Sequence, residues 1–329
     1  MKVTPSYILG LDSDLRVITE NTWKRVIPNL IWDRVMKVAP PSDSFRRVMT
    51  WNLTTARLYP EGRGGNTRFD DMAMATHTIE NENAGAGLRL TRNEIEDNQM
   101  AFNANVNPVD HAREWAEQIG NAAAFYPEQQ LFSLIKSGLT ASSYDGVPFF
   151  SAAHPLNANG GGGTYSNIVT GASIATGLDA DPLRDVVLAQ QNFAKALAAV
   201  SSAKSLNGIP RYLRPTVMFV PTALQYRAEQ VSGARTMSLT ENVLVNRNIE
   251  VVVNPMLDDE PNVYYLGVSD MLSDDLAPFL WWERQPFELR GYSLMDEVDL
   301  SRRDEFEWHM KGRNAAAYGH PYLFYRVTA

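Results

Sequence analysis

The 329-residue chain contains no cysteine. That excludes disulfide staples, thiolate metal sites and cysteine nucleophiles, and says little about compartment. Long hydrophobic runs are missing too, since none approaches the ~20 residues needed to cross a bilayer. Basic runs stop at two residues, and 38 acidic side chains outnumber 30 basic ones, for a net charge of −8. A chain built to grip nucleic acid shows a basic patch, so only weak or indirect contact of that kind stays open. The five histidines, His77, His111, His154, His309 and His320, lack the short spacings of a zinc site. Acids at Asp12 and Asp14 fall where a signal peptide stays apolar. These absences predict a soluble protein, made and used in a cytoplasm, with no metal, cofactor or membrane.

What is present is a large globular core. The chain is 44% hydrophobic with 7 Trp, 13 Tyr and 13 Phe, which separates it from disordered sequences. A chain of this length buries roughly three-quarters of its unfolded surface.

The strongest helical signal runs from Asn107. Asn107 suits an N-cap, Pro108 the first helical position, and Asp110 the positive end of the helix. Val109, Ala112, Ala116, Ile119 and Ala123 then recur at helical spacing, flanked by Trp115. Pro127 is expected to stop or kink this helix. Leu131, Leu134 and Ile135 continue it to a stop at Gly138. Upstream, Ser13 to Trp32 reads as one amphipathic helix with Val17, Trp23, Val26 and Ile27 apolar, interrupted at Pro28. This apolar arm needs a cover, either its own domain or a neighbouring subunit.

Residues 46–95 carry strand pattern at Val48–Tyr59, Met72–Ile79 and Leu88–Arg92, around a turn at Pro60–Asn66. They read as a long projecting β-hairpin with charges of both signs. An isolated hairpin is marginal in water, so of two readings, a solvated loop or an arm that pairs with complementary charges on another copy, the second is the expectation. Downstream, Asn157–Gly177 reads as a glycine-rich surface loop. No Lys-Ser/Thr follows its four glycines, so a phosphate loop is excluded. A second helix opens at Asp181-Pro182 with Leu183, Val186, Val187, Gln190, Phe193, Ala194, Leu197 and Val200 on one face. Short strands at Thr216–Val220, Ile249–Val253 and Val263–Val268 surround a helix starting at Pro221. Period-two alternation marks Glu305–Lys311, and Tyr322–Val327 closes the chain as a strand. Helices mixed with short strands imply an α/β or α+β class.

Ser151, His154 and Asp145 lie within ten residues and contain the side chains of a serine hydrolase. No Gly-x-Ser-x-Gly elbow accompanies them, and His154-Pro155 fits a structural turn. The acid groups Glu94/Glu96/Asp97 and Asp258-Asp259-Glu260 read as solvated surface and a turn. Trp281-Trp282 is either a binding platform or a core or interface pair. No catalytic, metal-binding or cofactor-binding residue is assigned.

The order of parts carries further meaning. An arm, an extended hairpin, a long helix, an α/β unit and a returning β segment together resemble the Hong Kong 97-type capsid fold of tailed phages. Trp115-Ala116, Gly120–Ala124, the block Tyr144-Asp145-Gly146-Val147-Pro148-Phe149-Phe150-Ser151 and His154-Pro155 resemble the Mu-like phage major head subunit family. Asn242–Leu244, Ile249–Pro255 and Tyr264–Leu266 add comparable text, so the likeness covers most of 105–327 and is weakest over 1–95.

The resemblance implies an α+β chain with an N-terminal arm (1–45) and an extended loop (46–92). It further implies a peripheral domain with a spine helix (93–207 and 288–329) and an axial domain (208–287). By the same resemblance the chain is a capsid protein that self-assembles into hexamers and pentamers of an icosahedral shell enclosing double-stranded DNA. It would be located in the virion and assembled in the host cytoplasm. The arm is too short for built-in scaffolding, so scaffold, maturation protease and portal would be separate partners, with DNA held by weak non-specific contact. Candidate intersubunit contacts are Trp23, Trp32, Arg57, Glu61, Arg63, Arg68, Asp70 and Asp71. The alternatives are an encapsulin-like compartment and, from another class, a hydrolase using Ser151 and His154.

Overall fold

The structure, a computed structural model, describes residues 5–40, 44–52, 74–98, 108–157, 162–175, 182–233, 236–237, 240–241, 248–270, 272, 276–292 and 305–328. The chain opens with helix α1 (Pro5–Val26), which begins eight residues before the expected start. Strand β1 (Met36–Val38) follows. Strands β2 (Arg46–Asn52) and β3 (Met74–Glu80) pair antiparallel, with Arg46 opposite Glu80 and Asn52 opposite Met74. They form the root of the expected hairpin. The expected third strand leaves it: β4 (Glu82–Thr91) joins a different sheet. Thr91 and Glu94 cap the short helix α2 (Arg92–Asn98), with Thr91 N donating to Glu94 Oε2 at 2.8 Å and Glu94 N donating to Thr91 Oγ1 at 3.3 Å.

Helix α3 (Pro108–Ser137) is unbroken for 30 residues and runs through Pro127. The expected stop does not occur because both halves are anchored. Ala112, Ala116 and Ala123 are buried against α1 and the long sheet, and Leu131, Phe132 and Ile135 are buried in a second cluster. Burial on both sides outweighs the one backbone hydrogen bond a proline removes.

The segment read as a surface loop is in part built into the core, among its described residues 157 and 162–175. Strands β5 (His154–Pro155) and β6 (Thr164–Tyr165) pair, and β7 (Ile168–Val169) runs parallel to the last strand. Gly162 and Gly163, at φ +83° and +90°, lead into β6, and Leu156 N donates to the Gly163 carbonyl at 3.0 Å. Asn167, Ala172, Ser173 and Ile174 are buried. Two-residue strands leave no periodicity to read, which is why composition alone suggested a loop.

Helix α4 (Pro182–Ser201) buries Ala189, Phe193, Ala196, Leu197 and Val200, while Val187 and Ala194 face outward. Strand β8 (Val217–Val220), helix α5 (Gln225–Gly233) and the small pair β9 (Thr236–Met237) and β10 (Thr240–Glu241) come next. Strands β11 (Glu250–Val253) and β12 (Tyr264–Gly267) complete this part. The long antiparallel ribbon β13 (Phe279–Tyr292) and β14 (Glu305–Tyr318) follows, then β15 (Phe324–Val327).

Two sheets organise the molecule. In the first the order is β11-β8-β12-β15-β7. Its central strands are buried on both faces. Met218, Val220, Tyr264, Leu266 and Tyr325 pack toward α4 and α5, and Phe219, Tyr265 and Phe324 pack toward the end of α3. That is why these strands read as continuous apolar runs rather than alternations. In the second sheet the order is β1-β13-β14-β4. Phe306, Trp308 and Met310 on β14 face α1 and α3, as their period-two spacing requires.

β13 runs through residues 287 and 288 without ending, and β15 pairs antiparallel with β12.

Candidate functional site

The hairpin root is half docked and half bare. Met49, Ala75 and Ile79 point inward and are buried, Met49 and Ile79 beside Leu280 and Trp282. The opposite face carries Val48 at 63% exposure and Met74 at 54%, with Thr50, Thr76 and Thr78 between them. Arg46 and Glu80 close the root with an ion pair at 2.6 Å. The inward face thus fixes the direction of the ribbon, and the outward face presents apolar side chains in water.

One face of the arm docks on its own chain. Ile8, Leu11 and Leu15 of α1 are buried against α3 and β14. Trp308 Nε1 donates to Asp12 Oδ1 at 3.2 Å, and Arg113 pairs with Asp14 at 3.2 Å. The two helices cross where Gly120 meets Thr19, leaving no room for a Cβ: one built on Gly120 would lie 2.9 Å from the Thr19 carbonyl oxygen. Leu9 and Val17 remain exposed on the far side.

Of the candidate intersubunit residues, Trp23 is half-buried in a groove of about 400 Å³ with Thr19, Phe287 and Leu289. Trp32 is half-buried against its own core beside Val35 and Phe132. Arg57, Glu61, Arg63, Arg68, Asp70 and Asp71 lie outside the described residues. Trp281 and Trp282 are core residues on opposite faces of β13.

Ser151, His154 and Asp145 do come together, but not as a catalytic triad. His154 is fully buried. Its Nδ1 lies 2.6 Å from Asp145 Oδ2, and its Nε2 faces the Phe149 carbonyl and Asn167 Oδ1, both at 3.1 Å. Ser151 instead accepts from Ala153 N through Oγ at 3.2 Å and donates its own N–H to Asn167 Oδ1 at 2.9 Å. A general base must reach the nucleophile's proton, and here the imidazole is committed elsewhere. Asn167, which the sequence did not single out, ties the knot. Its Nδ2 faces the carbonyls of Phe149 at 2.7 Å, Pro321 at 3.3 Å and Phe324 at 3.3 Å. The Tyr144–Pro155 turn is thereby fastened to the last strand.

A second buried acid holds the arm to the sheet. Glu128 accepts from Ile31 N at 3.1 Å and Asn254 Nδ2 at 3.2 Å. Burial pushes its carboxyl above the ordinary value of 4.5, those two hydrogen bonds pull the other way, and nearby Asp33 adds to the rise. The acids of the Asp258–Glu260 turn are fasteners too: Asp258 accepts from Thr222, Asp259 pairs with Lys136 and Glu260 with Arg326. Among the described residues no cluster of acids and histidines is arranged to hold a metal, and no helix is long and apolar enough to cross a membrane.

Comparison with known proteins agrees with this architecture. Residues 61–178 match the model of the Mu-like prophage major head subunit gpT. The match begins inside the hairpin segment and ends before α4, so it starts earlier and stops sooner than the 105–327 likeness read from the sequence. The major capsid protein of Escherichia phage Mu is 29% identical over 109 residues, 32% of this chain and 33% of that protein. The alignment thus spans about a third of that curated relative.

Among solved structures, the procapsid of bacteriophage JBD30 matches 99% of this chain and 76% of its own chain at 16% identity and TM-score 0.53. The mature capsid of bacteriophage PhiM1 covers 91% of this chain and 86% of its own at 10% identity and TM-score 0.55. The capsid of cyanophage P-SCSP1u covers 90% and 86% at 12% identity and TM-score 0.55. At these identities the likeness is one of fold. The chain has the Hong Kong 97-type fold of tailed-phage capsid proteins and, over residues 61–178, the sequence pattern of the Mu-like prophage major head subunit family.

Proposed function

We propose that this chain is the major head subunit of a tailed phage or prophage, and that it works by self-assembly rather than turnover. Copies form hexamers and pentamers of an icosahedral shell enclosing double-stranded DNA, in the virion and after assembly in the host cytoplasm. The observation that carries this reading is the hairpin root. A two-stranded ribbon is marginal alone, and one whose bare face presents Val48 and Met74 gains from a cover. A neighbouring subunit supplies it. In this reading 46–92 is the arm that reaches the neighbour, 93–207 with 288–329 is the peripheral part, and 208–287 is the axial part, with β13 and β15 shared between the last two. Scaffold, protease and portal are separate proteins, and DNA meets the shell through weak contacts.

Sedimentation velocity tests the proposal. Wild-type protein at high concentration is expected to sediment as rings or shells. A deletion of Tyr59–Asp71 is expected to keep its circular dichroism and melting transition yet remain a small species. A wild-type protein that stays strictly monomeric, or a deletion variant that assembles normally, would overturn the reading.

A further inference from the structure

Strand β4 is the last in the order β1-β13-β14-β4, so among the described residues its outer edge has no strand partner. Its ten residues pair with β14 from Thr91–Glu305 to Glu82–Asn314 without a register shift, whereas the β13–β14 ribbon is bulged twice. Natural sheets blunt such edges with lysine, proline or a bulge. Ala84-Gly85-Ala86-Gly87 has none of these and is exposed for most of its length.

The neighbouring strand uses the missing side chains. Lys311 stands opposite Gly85 and His309 opposite Gly87. A Cβ on Gly85 would lie 2.6 Å from the Met310 carbonyl oxygen and 3.2 Å from Lys311 Cγ, and one on Gly87 3.0 Å from His309 Nδ1. The two β14 side chains therefore lie over the glycines of β4. They line a groove of about 640 Å³ with Arg290, Arg313 and Glu288. Basic groups outnumber the acid there, in a chain whose total charge is −8.

We infer that the free edge of β4 receives an extended, acid-bearing segment of a second copy of this chain by strand addition. Main-chain hydrogen bonds along Ala84–Gly87 give affinity, and acid side chains set against Lys311 and Arg313 fix the register. Among the described residues no segment of the chain lies along this edge, and the β2–β3 root is pinned elsewhere by Met49 and Ile79 beside Leu280 and Trp282. The charge balance argues for a second copy, because acidic side chains outnumber basic ones in this chain, 38 to 30. This inference rests on the assembly proposed above and names one surface that assembly covers.

The absence of cysteine makes the test clean, since Ala86→Cys carries a single thiol. Its maleimide labelling rate is compared in the free subunit, in particles assembled from this chain alone, and in particles containing other virion proteins. Labelling about tenfold slower in particles of the chain alone supports the inference, as an ordered strand contact protects its edge. Equal rates in the free subunit and every particle overturn it while leaving assembly intact. Protection that needs another protein present overturns the second-copy occupant. Failure to form any particle removes the assembly reading, and this inference with it. As an independent measurement, the Lys311→Glu/Arg313→Glu variant is expected to melt as wild type and to form particles in about tenfold lower yield. A wild-type yield would overturn the role given to charge.

Discussion

At the residue scale, the Asp145–His154–Asn167 knot separates a structural from a catalytic role. If the group is a fastener, Ser151→Ala loses one marginal hydrogen bond and changes stability by less than about 1 kcal/mol. His154→Ala leaves the Asp145 carboxylate, 1% exposed, without its partner and costs about 3–5 kcal/mol. Denaturant titration of the two variants checks this, and a Ser151→Ala effect equal to that of His154→Ala contradicts it.

Glu128 gives a pH prediction. A carboxyl raised on folding binds a proton that the unfolded chain has released. Its stabilisation is present in acid and is lost as pH rises from 4.5 through the raised value. The Tm of the wild type relative to Glu128→Gln is therefore expected to fall as pH rises through that window. A difference that grows with pH contradicts the assignment.

The clustering of Asp145, Ser151 and His154 was legible as a short stretch of sequence, but the direction of the imidazole was not. Asn167 sits in a run of Gly, Ser, Thr and Asn that gave no reason to choose it. Its importance comes from three carbonyls, one 18 residues upstream and two more than 150 residues downstream.

At the element scale, periodicity carried much of the information. The 30-residue α3, the apolar strands of the five-stranded sheet and the alternation of β14 were all readable. The failures share one physical cause, which is tertiary burial outweighing a local signal. Pro127 reads as a breaker, yet packing on both sides keeps the helix continuous. The Asn157–Gly177 segment reads as loop, yet Asn167–Ala172 is pinned to β15 and the residue after it. The hairpin root yields a matched pair of predictions. Met49→Ala removes a buried side chain beside Trp282 and is expected to cost about 2–4 kcal/mol of subunit stability. Val48→Asp, one residue away on the bare face, is expected to shift stability by less than about 0.5 kcal/mol while reducing assembly. Thermal melts with parallel light scattering distinguish the two. Equal stability losses would mean the ribbon has no free face.

At the scale of the whole molecule, order of parts was more informative than any motif. The N-terminal helix, the β2–β3 pair, the 30-residue α3, two sheets and a closing strand follow one another along the described chain. The structure added that α1 lies on α3 and that β13 runs without a break from Phe279 to Tyr292. Those long-range contacts join residues hundreds of positions apart, such as Asp12 with Trp308, and leave no local trace. What the isolated chain leaves bare is consistent with a subunit: the outer face of the hairpin root, the free edge of β4, and the far side of α1.

The most direct test of the central claim is electron microscopy of the assembled protein at a resolution that traces side chains. The account predicts closed icosahedral shells built of hexamers and pentamers, with Val48 and Met74 of each subunit covered by a neighbour. Protein that forms no shell, or shells in which that face still points to solvent, would contradict it.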